Sequence, residues 1–386
     1  MSPDDVAAEK LLAPSVMGAT GLPVVGLTLG ANDGAWSARF WNKGTSGQYQ
    51  RDWCENVRVV GSGLKAHYCD KILPPPKYMG TQIRTVSAWG EEAHADFARL
   101  LIGVVGVGSV GSIIAEALAR IGIGRVMLID FDTLKVHNLD RTLNAYKEHS
   151  RGDQSKVSVA ERALKRSATA DRFLVESYEY SVCEEEGYRH ALDCDVLFSC
   201  VDRPWARSVL NFVAYAHLIP VIDGGIFVAR TRTHKLRGAD WKAHAAGPDN
   251  RCLLCLKQYD PGLVAADRSG DLNDPRYLET LADDHPARVN ENVFAFSLGL
   301  ASLEIAQLIM LAIRPLDVGP SPQIYHLFTG QIDIGISGCD SDCTFPKLIA
   351  SGEREHPGVD RHLSAERERS ARNTQASKKR WFSWLT

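Results

Sequence analysis

The sequence predicts an α/β protein in which a mostly parallel sheet carries helices on both faces. Three observations lead there. First, Leu101-Ile-Gly-Val-Val105 is a short apolar run with β-branched residues, suited to a fully buried parallel strand. It runs into Gly106-Val-Gly108-Ser-Val-Gly111, then into Ser112–Ile121 with helical apolar spacing, then into Arg125-Val-Met-Leu-Ile-Asp130, a second strand ending in a carboxylate. Second, strand-like and helix-like segments alternate from 101 to 225. Third, 386 residues with 45% apolar and 24% charged content are ordinary globular composition, enough for one large domain plus additions. The arrangement is Rossmann-like.

The glycines let the backbone turn sharply and approach an anion, while the free N–H groups opening the helix attract a phosphate. Asp130 is placed to accept hydrogen bonds from ribose hydroxyls. Alternatively, the glycines merely let a helix pack closely on a strand. Which nucleotide would bind is left open by this unit alone.

Taken in order, residues 1–80 read as a small β-rich N-terminal module. Leu22–Gly30 and Ala35–Trp41 form a candidate hairpin, Val57–Gly61 a short strand, and Pro74-Pro75-Pro76 a linker. Residues 81–352 form the main domain. A helical stretch (EEAHADFARLL) leads into the glycine unit, Lys156–Ser167 is an amphipathic helix, and Arg172–Tyr178 and Asp195–Val201 are strands. Trp205–His217 is a helix and Ile219–Asp223 a strand. Residues 226–290 read as an irregular crossover region, Asn290–Ala312 as a long apolar helix and Gln323–Ile336 as a late hairpin. Residues 353–386 are charged and poor in apolar residues, a flexible tail with an aromatic end at Trp381–Trp384.

Charge and cysteines narrow the classes. The net charge of −3, from 44 basic and 47 acidic residues, carries no electrostatic footprint for nucleic acid. Nine cysteines and an N-terminal segment without an apolar core point to a reduced, cytoplasmic setting. Val293–Ile313 is apolar enough to raise the question of a membrane span, but Glu304 near its middle would cost about 2.5–3.5 kcal/mol to insert. A helix in the core or at a subunit interface is expected, and no membrane.

Chemistry concentrates downstream of the glycines. Asp130-Phe-Asp132 is followed by Asn138-Leu-Asp-Arg141, Lys156 opens a helix, and Asp202 and Asp223 end strands. In an open α/β sheet the carboxyl ends of the strands share one crevice, so these residues should converge on the glycine turn. Two cations (Arg141, Lys156) and an extra acid (Asp202) suit a triphosphate with magnesium better than a dinucleotide. The plainer alternatives are surface charges for Arg141 and Lys156, and a helix cap for Asp202. Cys252-Leu-Leu-Cys255 and Cys339-Asp-Ser-Asp-Cys343 make a four-thiolate set of the kind that holds structural zinc; free core thiols or a redox pair are the alternatives.

Together, Gly106-x-Gly108-x-x-Gly111, Asp130-x-Asp132, Asn138-Leu-x-Arg141, Lys156, Cys200-x-Asp202 and Cys252-x-x-Cys255 resemble the ThiF/MoeB/HesA superfamily of adenylating enzymes, which includes the ubiquitin-activating enzymes. In detail the chain looks most like bacterial ThiF-type proteins of ubiquitin-like conjugation operons, such as the BilD-type activators of antiphage islands. The resemblance implies ATP and Mg2+, and activation of the C-terminal glycine carboxylate of a ubiquitin-like or sulfur-carrier protein by attack on the α-phosphate. It also implies a homodimer and, downstream, a conjugating enzyme. By position, Asp130 would hold the ribose, Asn138, Arg141 and Lys156 the phosphates, and Asp202 the magnesium. Arg84 is a further candidate for a phosphate contact, reaching across a dimer. The family pattern has two C-x-x-C pairs, whereas here the second has three intervening residues. No cysteine lies between Cys200 and Cys252 or between Cys255 and Cys339, where a thioester-forming nucleophile is usual, so none is assigned. The rivals are an NAD-dependent Rossmann oxidoreductase, a non-catalytic ATP-binding scaffold, and modification of a small molecule or tRNA.

Overall fold

The computed structural model describes residues 3–31, 34–77, 80–231, 233, 235–281 and 291–383, with side chains for all but Pro3 and residues 375–383. The chain divides into two compact units, residues 1–59 with 64–77, and 60–63 with 78–386.

In the small unit, β1 (Val24–Leu29), β2 (Trp36–Lys43) and β3 (Tyr49–Trp53) form an antiparallel sheet in that order. A two-stranded ladder of β4 (Asn56–Val60) and β5 (Leu64–Tyr68) follows. The expected hairpin is β1 with β2, Val24 opposite Trp41; part of its turn, residues 32 and 33, lies outside the described residues. The helix α1 (Pro3–Thr20) is not anticipated by the sequence pattern. It is held by single long-range contacts: Glu9 pairs with buried Arg39 and accepts from Trp41 Nε1 at 3.0 Å, and Ala13 is fully buried.

In the large unit, α2 (Ile83–Trp89) and α3 (Glu91–Arg99) precede β6 (Leu101–Val105), α4 (Ser109–Ile121) and β7 (Arg125–Ile129). A long loop containing α5 (Lys147–Arg151) leads to α6 (Lys156–Ser167), β8 (Leu174–Tyr178), α7 (Glu185–Leu192), β9 (Val196–Ser199) and α8 (Pro204–Ala216). Then come β10 (Val221–Arg230), β11 (Leu236–Ala246), α9 (Pro261–Ser269), α10 (Pro275–Glu279) and α11 (Phe294–Ala312). The chain finishes with β12 (Gln323–His326), β13 (Gln331–Ile334) and α12 (Leu363–Ser383).

One eight-stranded sheet runs in the order β13-β12-β11-β10-β9-β6-β7-β8. Strands β10, β9, β6, β7 and β8 run parallel to one another, and β11 to β13 extend the sheet antiparallel from β10. The chain leaves β6 for β7 on one side and later returns to place β9 on the other. That makes the carboxyl end of β6 the switch point at which such sheets open a crevice. The central parallel strands β6, β7 and β9 are buried on both faces, with Ile102, Val104, Leu128, Val196, Leu197 and Phe198 at 1% exposure or less, which is why they read as unbroken apolar runs.

Two stretches differ from expectation. The irregular crossover expected from residue 226 begins instead as a long ribbon, with β10 running on to Arg230 and pairing antiparallel with β11, Val221 opposite Ala246. Strand β11 is rich in alanine, which carries no strand preference. What fixes it is the packing of α11 on its face, where an added Cβ on Gly299 would lie 2.8 Å from the Trp241 ring. The end expected to be a flexible tail contains α12, whose start is tied to the main sheet domain by Arg369–Glu184, by Thr133 Oγ1 donating to Glu368 at 3.0 Å, and by Arg372 Nη1 donating to the Phe131 carbonyl at 2.8 Å. These partners lie about two hundred residues away in sequence, beyond the reach of any local pattern. The last residues of the aromatic end, 384–386, lie outside the described residues.

Among the described residues, α11 is the one helix long and apolar enough to cross a membrane. It packs on α4, β10 and β11 and turns Glu304 and Gln307 inward, each 1% exposed.

Candidate nucleotide site

A cavity of about 670 Å³ opens at the carboxyl ends of β6, β7 and β9. Gly106, Gly108, Asp130, Asp132, Asn138, Arg141, Lys156 and Asp202 all line it. Gly111 stands one turn into α4, behind the loop.

The glycines have separate tasks. Gly106 adopts φ +89°, a conformation L side chains rarely take, and an added Cβ would also sit 2.5 Å from the Cys200 carbonyl oxygen. An added Cβ on Gly111 would collide with the Gly106 carbonyl oxygen. Gly108, at the N-cap of α4, is different: a Cβ there meets no atom within 4 Å. Two are therefore required by the loop itself, and Gly108 leaves room for something to approach. Gly111→Ala is expected to cost about 3 kcal/mol of stability, as backbone overpacking does, read in a urea melt. Gly108→Ala should leave the melt unchanged and weaken ATP binding about tenfold or more in a titration, because its methyl group occupies the phosphate's approach.

Asp130, 8% exposed, supports the loop as well as facing the cavity. One carboxylate oxygen accepts from the Val107 amide at 2.7 Å and the other from the Asp132 amide at 2.7 Å. Burial raises its carboxyl above the ordinary range, against the pull of Lys156 and the two amides. Lys156 opens α6 and reaches back, its Nζ 2.6 Å from Asp132 Oδ2 and 4.0 Å from Asp130 Oδ2. Burial alone would lower its pKa, but Asp130, Asp132 and Asp202 outweigh that and hold the ammonium charged well above its usual value. Lys156 is thus an enclosed, charged cation lining the same cavity as the glycine turn.

Asp202, just beyond the end of β9, is exposed and makes no hydrogen bond or ion pair among the described residues. The helix-cap alternative is set aside by geometry: the Trp205 amide in the first turn of α8 donates to Asp267 at 3.1 Å. Arg141 lies on the loop after β7, with Nη1 donating to the His137 carbonyl at 2.6 Å and to Asp140 at 2.8 Å. Asn138 accepts from the Lys135 amide at 2.9 Å. The structure does not bring Asp223 into the cavity. It is fully buried behind the wall, accepts from Ser199 Oγ at 2.6 Å, and anchors Arg207 Nε at 3.1 Å. Arg207 does line the cavity, a cation that no local motif marks because its partner Asp223 lies on another element. Glu304 is also there, brought in by α11 from far along the chain, and burial pushes its carboxyl well up. Arg84 is exposed on α2 and does not line the cavity.

The four cysteines converge. The Sγ atoms of Cys252, Cys255, Cys339 and Cys343 all lie within 4.8 Å of one another, with Cys252 Sγ 3.6 Å from Cys343 Sγ. A tetrahedron with Zn–S near 2.3 Å has edges of about 3.8 Å. The Cys252 amide points at Cys339 Sγ (3.3 Å) and the Cys255 amide at Cys252 Sγ (3.4 Å), contacts that favour thiolates. The cluster could bind zinc.

The fold and the placing of the cavity define an α/β protein of the Rossmann class. The chain belongs to the ThiF family, whose model matches residues 79–310. Among curated relatives, ubiquitin-like modifier-activating enzyme 5 of Xenopus laevis is 34% identical over 132 residues, 31% of this chain and 32% of the relative. The Gallus gallus protein of the same name is 33% identical over 122 residues, 28% of this chain and 30% of the relative. The chain thus spans about a third of the length of these relatives. Among solved structures, the microcin C7 biosynthetic enzyme MccB in complex with N-formylated MccA aligns with TM-score 0.53 at 16% identity, over 69% of this chain and 75% of that chain. E. coli MccB with ATP aligns with TM-score 0.52 at 16% identity, over 69% and 74%. At that identity the likeness is one of fold.

Proposed function

We propose that this chain is an ATP-dependent adenylating enzyme that activates the C-terminal glycine carboxylate of a ubiquitin-like or sulfur-carrier protein. The observation that carries this is the meeting of Lys156 and Asp202 over the Gly106–Gly111 turn in one cavity. The turn and Lys156 take the triphosphate, and Asp130 remains beside the ribose position. Asp202, unpaired among the described residues, is the free carboxylate suited to magnesium, which would neutralise charge on the phosphate oxygens. A carboxylate oxygen of the carrier attacks the α-phosphorus, the bond from that phosphorus to the bridging oxygen breaks, and pyrophosphate departs with the electron pair. An acyl-adenylate remains. The protein's part is to hold cations where charge builds up. The family membership supports this chemistry, as do the activating enzymes among the relatives.

A dinucleotide oxidoreductase would leave Lys156, Asp202 and the cysteine cluster without work. Of the five thiols outside that cluster, Cys54 and Cys69 belong to the small unit and Cys183 and Cys194 are buried, and burial pushes the Cys54 and Cys200 thiols up, which disfavours a thiolate nucleophile. In this proposal the adenylate is therefore passed directly to a thiol on another protein, such as a conjugating enzyme. The chain works as a cytoplasmic homodimer within a bacterial ubiquitin-like conjugation system, in the setting of antiviral defence.

Pyrophosphate exchange tests the reading. Labelled pyrophosphate is expected to enter ATP only when a carrier ending in glycine is present, and removal of that glycine should abolish exchange. ATP binding with no exchange for any carrier encoded beside this chain would favour the non-catalytic scaffold.

A further inference from the structure

One end of the cavity is closed by the C-terminal segment. From the glycine turn the cavity passes Asp130 and reaches Phe131, Val182 and Trp205, where His362, Leu363 and Ser364 complete the wall. That segment is fastened on both sides of the opening. Trp205 Nε1 donates to the Gly358 carbonyl at 2.9 Å, the Asp360 amide donates to the Cys183 carbonyl at 2.8 Å, and Asp360 pairs with Arg268. Beyond His362, Arg372 Nη1 donates to the carbonyl of Phe131 itself.

His362 is set as a flat aromatic surface. Its ring stacks on Trp205 (centroids 5.3 Å apart, planes 12° apart) and leans on Phe131 (4.9 Å, 51°). The Ala365 amide donates to its Nδ1 at 3.2 Å, which fixes the ring's rotation, and burial lowers its pKa, so it stands neutral. In a Rossmann unit the acid ending the second strand takes the ribose, so the phosphates lie on one side of it and the base on the other. Here the acid is Asp130, the phosphate side is the glycine turn, and the side remaining is the wall of Phe131, Trp205 and His362.

We propose that the segment from Gly358 to Arg372 completes the nucleotide site, and that His362 forms the wall on which the purine base of the bound triphosphate stacks. This rests on the nucleotide-binding reading above. Base selection then depends on a part of the chain that lies outside residues 79–310, the portion matched to the family. Binding and ordering of the C-terminal segment are coupled: the base gains a stacking partner and the segment gains a contact that fastens it.

The test titrates the full chain with ATP and, separately, with inorganic tripolyphosphate, which needs the phosphate turn but no base wall. His362→Ala is expected to weaken ATP binding about tenfold, within the range for loss of one base–aromatic stack, and to leave tripolyphosphate binding unchanged. His362→Phe should restore most of the ATP affinity. In the unmodified protein, amide exchange over 358–372 should slow with ATP and not with tripolyphosphate. That measurement decides the matter if the alanine variant does not fold. Equal ATP affinity in His362→Ala, equal loss of both ligands, or absence of ATP-specific protection would each overturn the proposal. Failure of the unmodified protein to bind ATP would instead overturn the nucleotide-binding reading, and this one with it.

Discussion

Asp202→Ala is expected to abolish magnesium-dependent pyrophosphate exchange, a fall of at least about a hundredfold to a thousandfold, with the melting temperature unchanged. The side chain is exposed and bonds to no other described residue, so its removal leaves no buried partner stranded. What disappears is an exposed cavity carboxylate that, among the described residues, is not already engaged by a cation or an amide, as Asp130 and Asp132 are. Lys156→Ala makes the instructive contrast. It should also abolish exchange, but it leaves Asp130 buried without its cation and Asp132 unpaired, and an uncompensated buried charge is costly. The lysine variant should therefore melt markedly lower, and it should regain stability on acidification, as Asp130 takes up a proton. The sign follows from the shift: a carboxyl whose folded pKa is raised favours the folded state as pH falls, and without the ammonium that rise is larger. Exchange assays at several magnesium concentrations and melts at pH 5 and 7 on the order of the carboxyl titration range separate the two variants. Full activity in Asp202→Ala would count against the assignment of the site.

The second large effect concerns the thiolate cluster. The purified protein is expected to contain one zinc per chain, and Cys343→Ser to lose it with a drop in melting temperature of at least about 5 °C. Metal-binding energy of this kind is folding energy, and each kcal/mol moves the midpoint of a domain of 150–250 residues by roughly 2–4 °C. Cys252 and Cys255 follow β11, and Cys339 and Cys343 follow β13, so a shared ion would staple the end of the hairpin to the loop packed on α8. The neighbouring contacts run the same way: Arg251 reaches Asp340 at 2.6 Å and the Gly338 carbonyl at 3.0 Å. Metal analysis and melts with and without a chelator check this. A metal-free protein whose melt ignores chelators would return the four residues to the status of core thiols.

The parts that sequence reading located are those in which neighbours along the chain do the work. The strand–turn–helix–strand unit of β6, α4 and β7 was legible because buried parallel strands must be apolar throughout and because Gly106 and Gly111 satisfy a local steric demand. The helix Lys156–Ser167 begins and ends where its periodicity does. Four cysteines in two pairs announce a cluster by residue type alone. By contrast β11 was missed because alanines become a strand only when another element covers them, and α1 because one glutamate reaching Arg39 and Trp41 leaves no periodic trace. Asp223 was expected in the crevice by its place at a strand end. The strand runs on to Arg230 instead, so Asp223 lies within it, buried against Ser199 and Arg207.

What the sequence by itself determined was the chemistry on offer: a glycine turn, two cations, a carboxylate ending the second strand and four thiols. Only the tertiary structure decided which of these face one cavity, because that depends on the pairing order β8-β7-β6-β9-β10 and on chain returning from far away. The C-terminal segment is the plainest case. Its charged, apolar-poor residues cannot form a core of their own, yet Arg369, Arg372 and His362 find partners already held by the sheet domain, and those partners make the order that local composition could not.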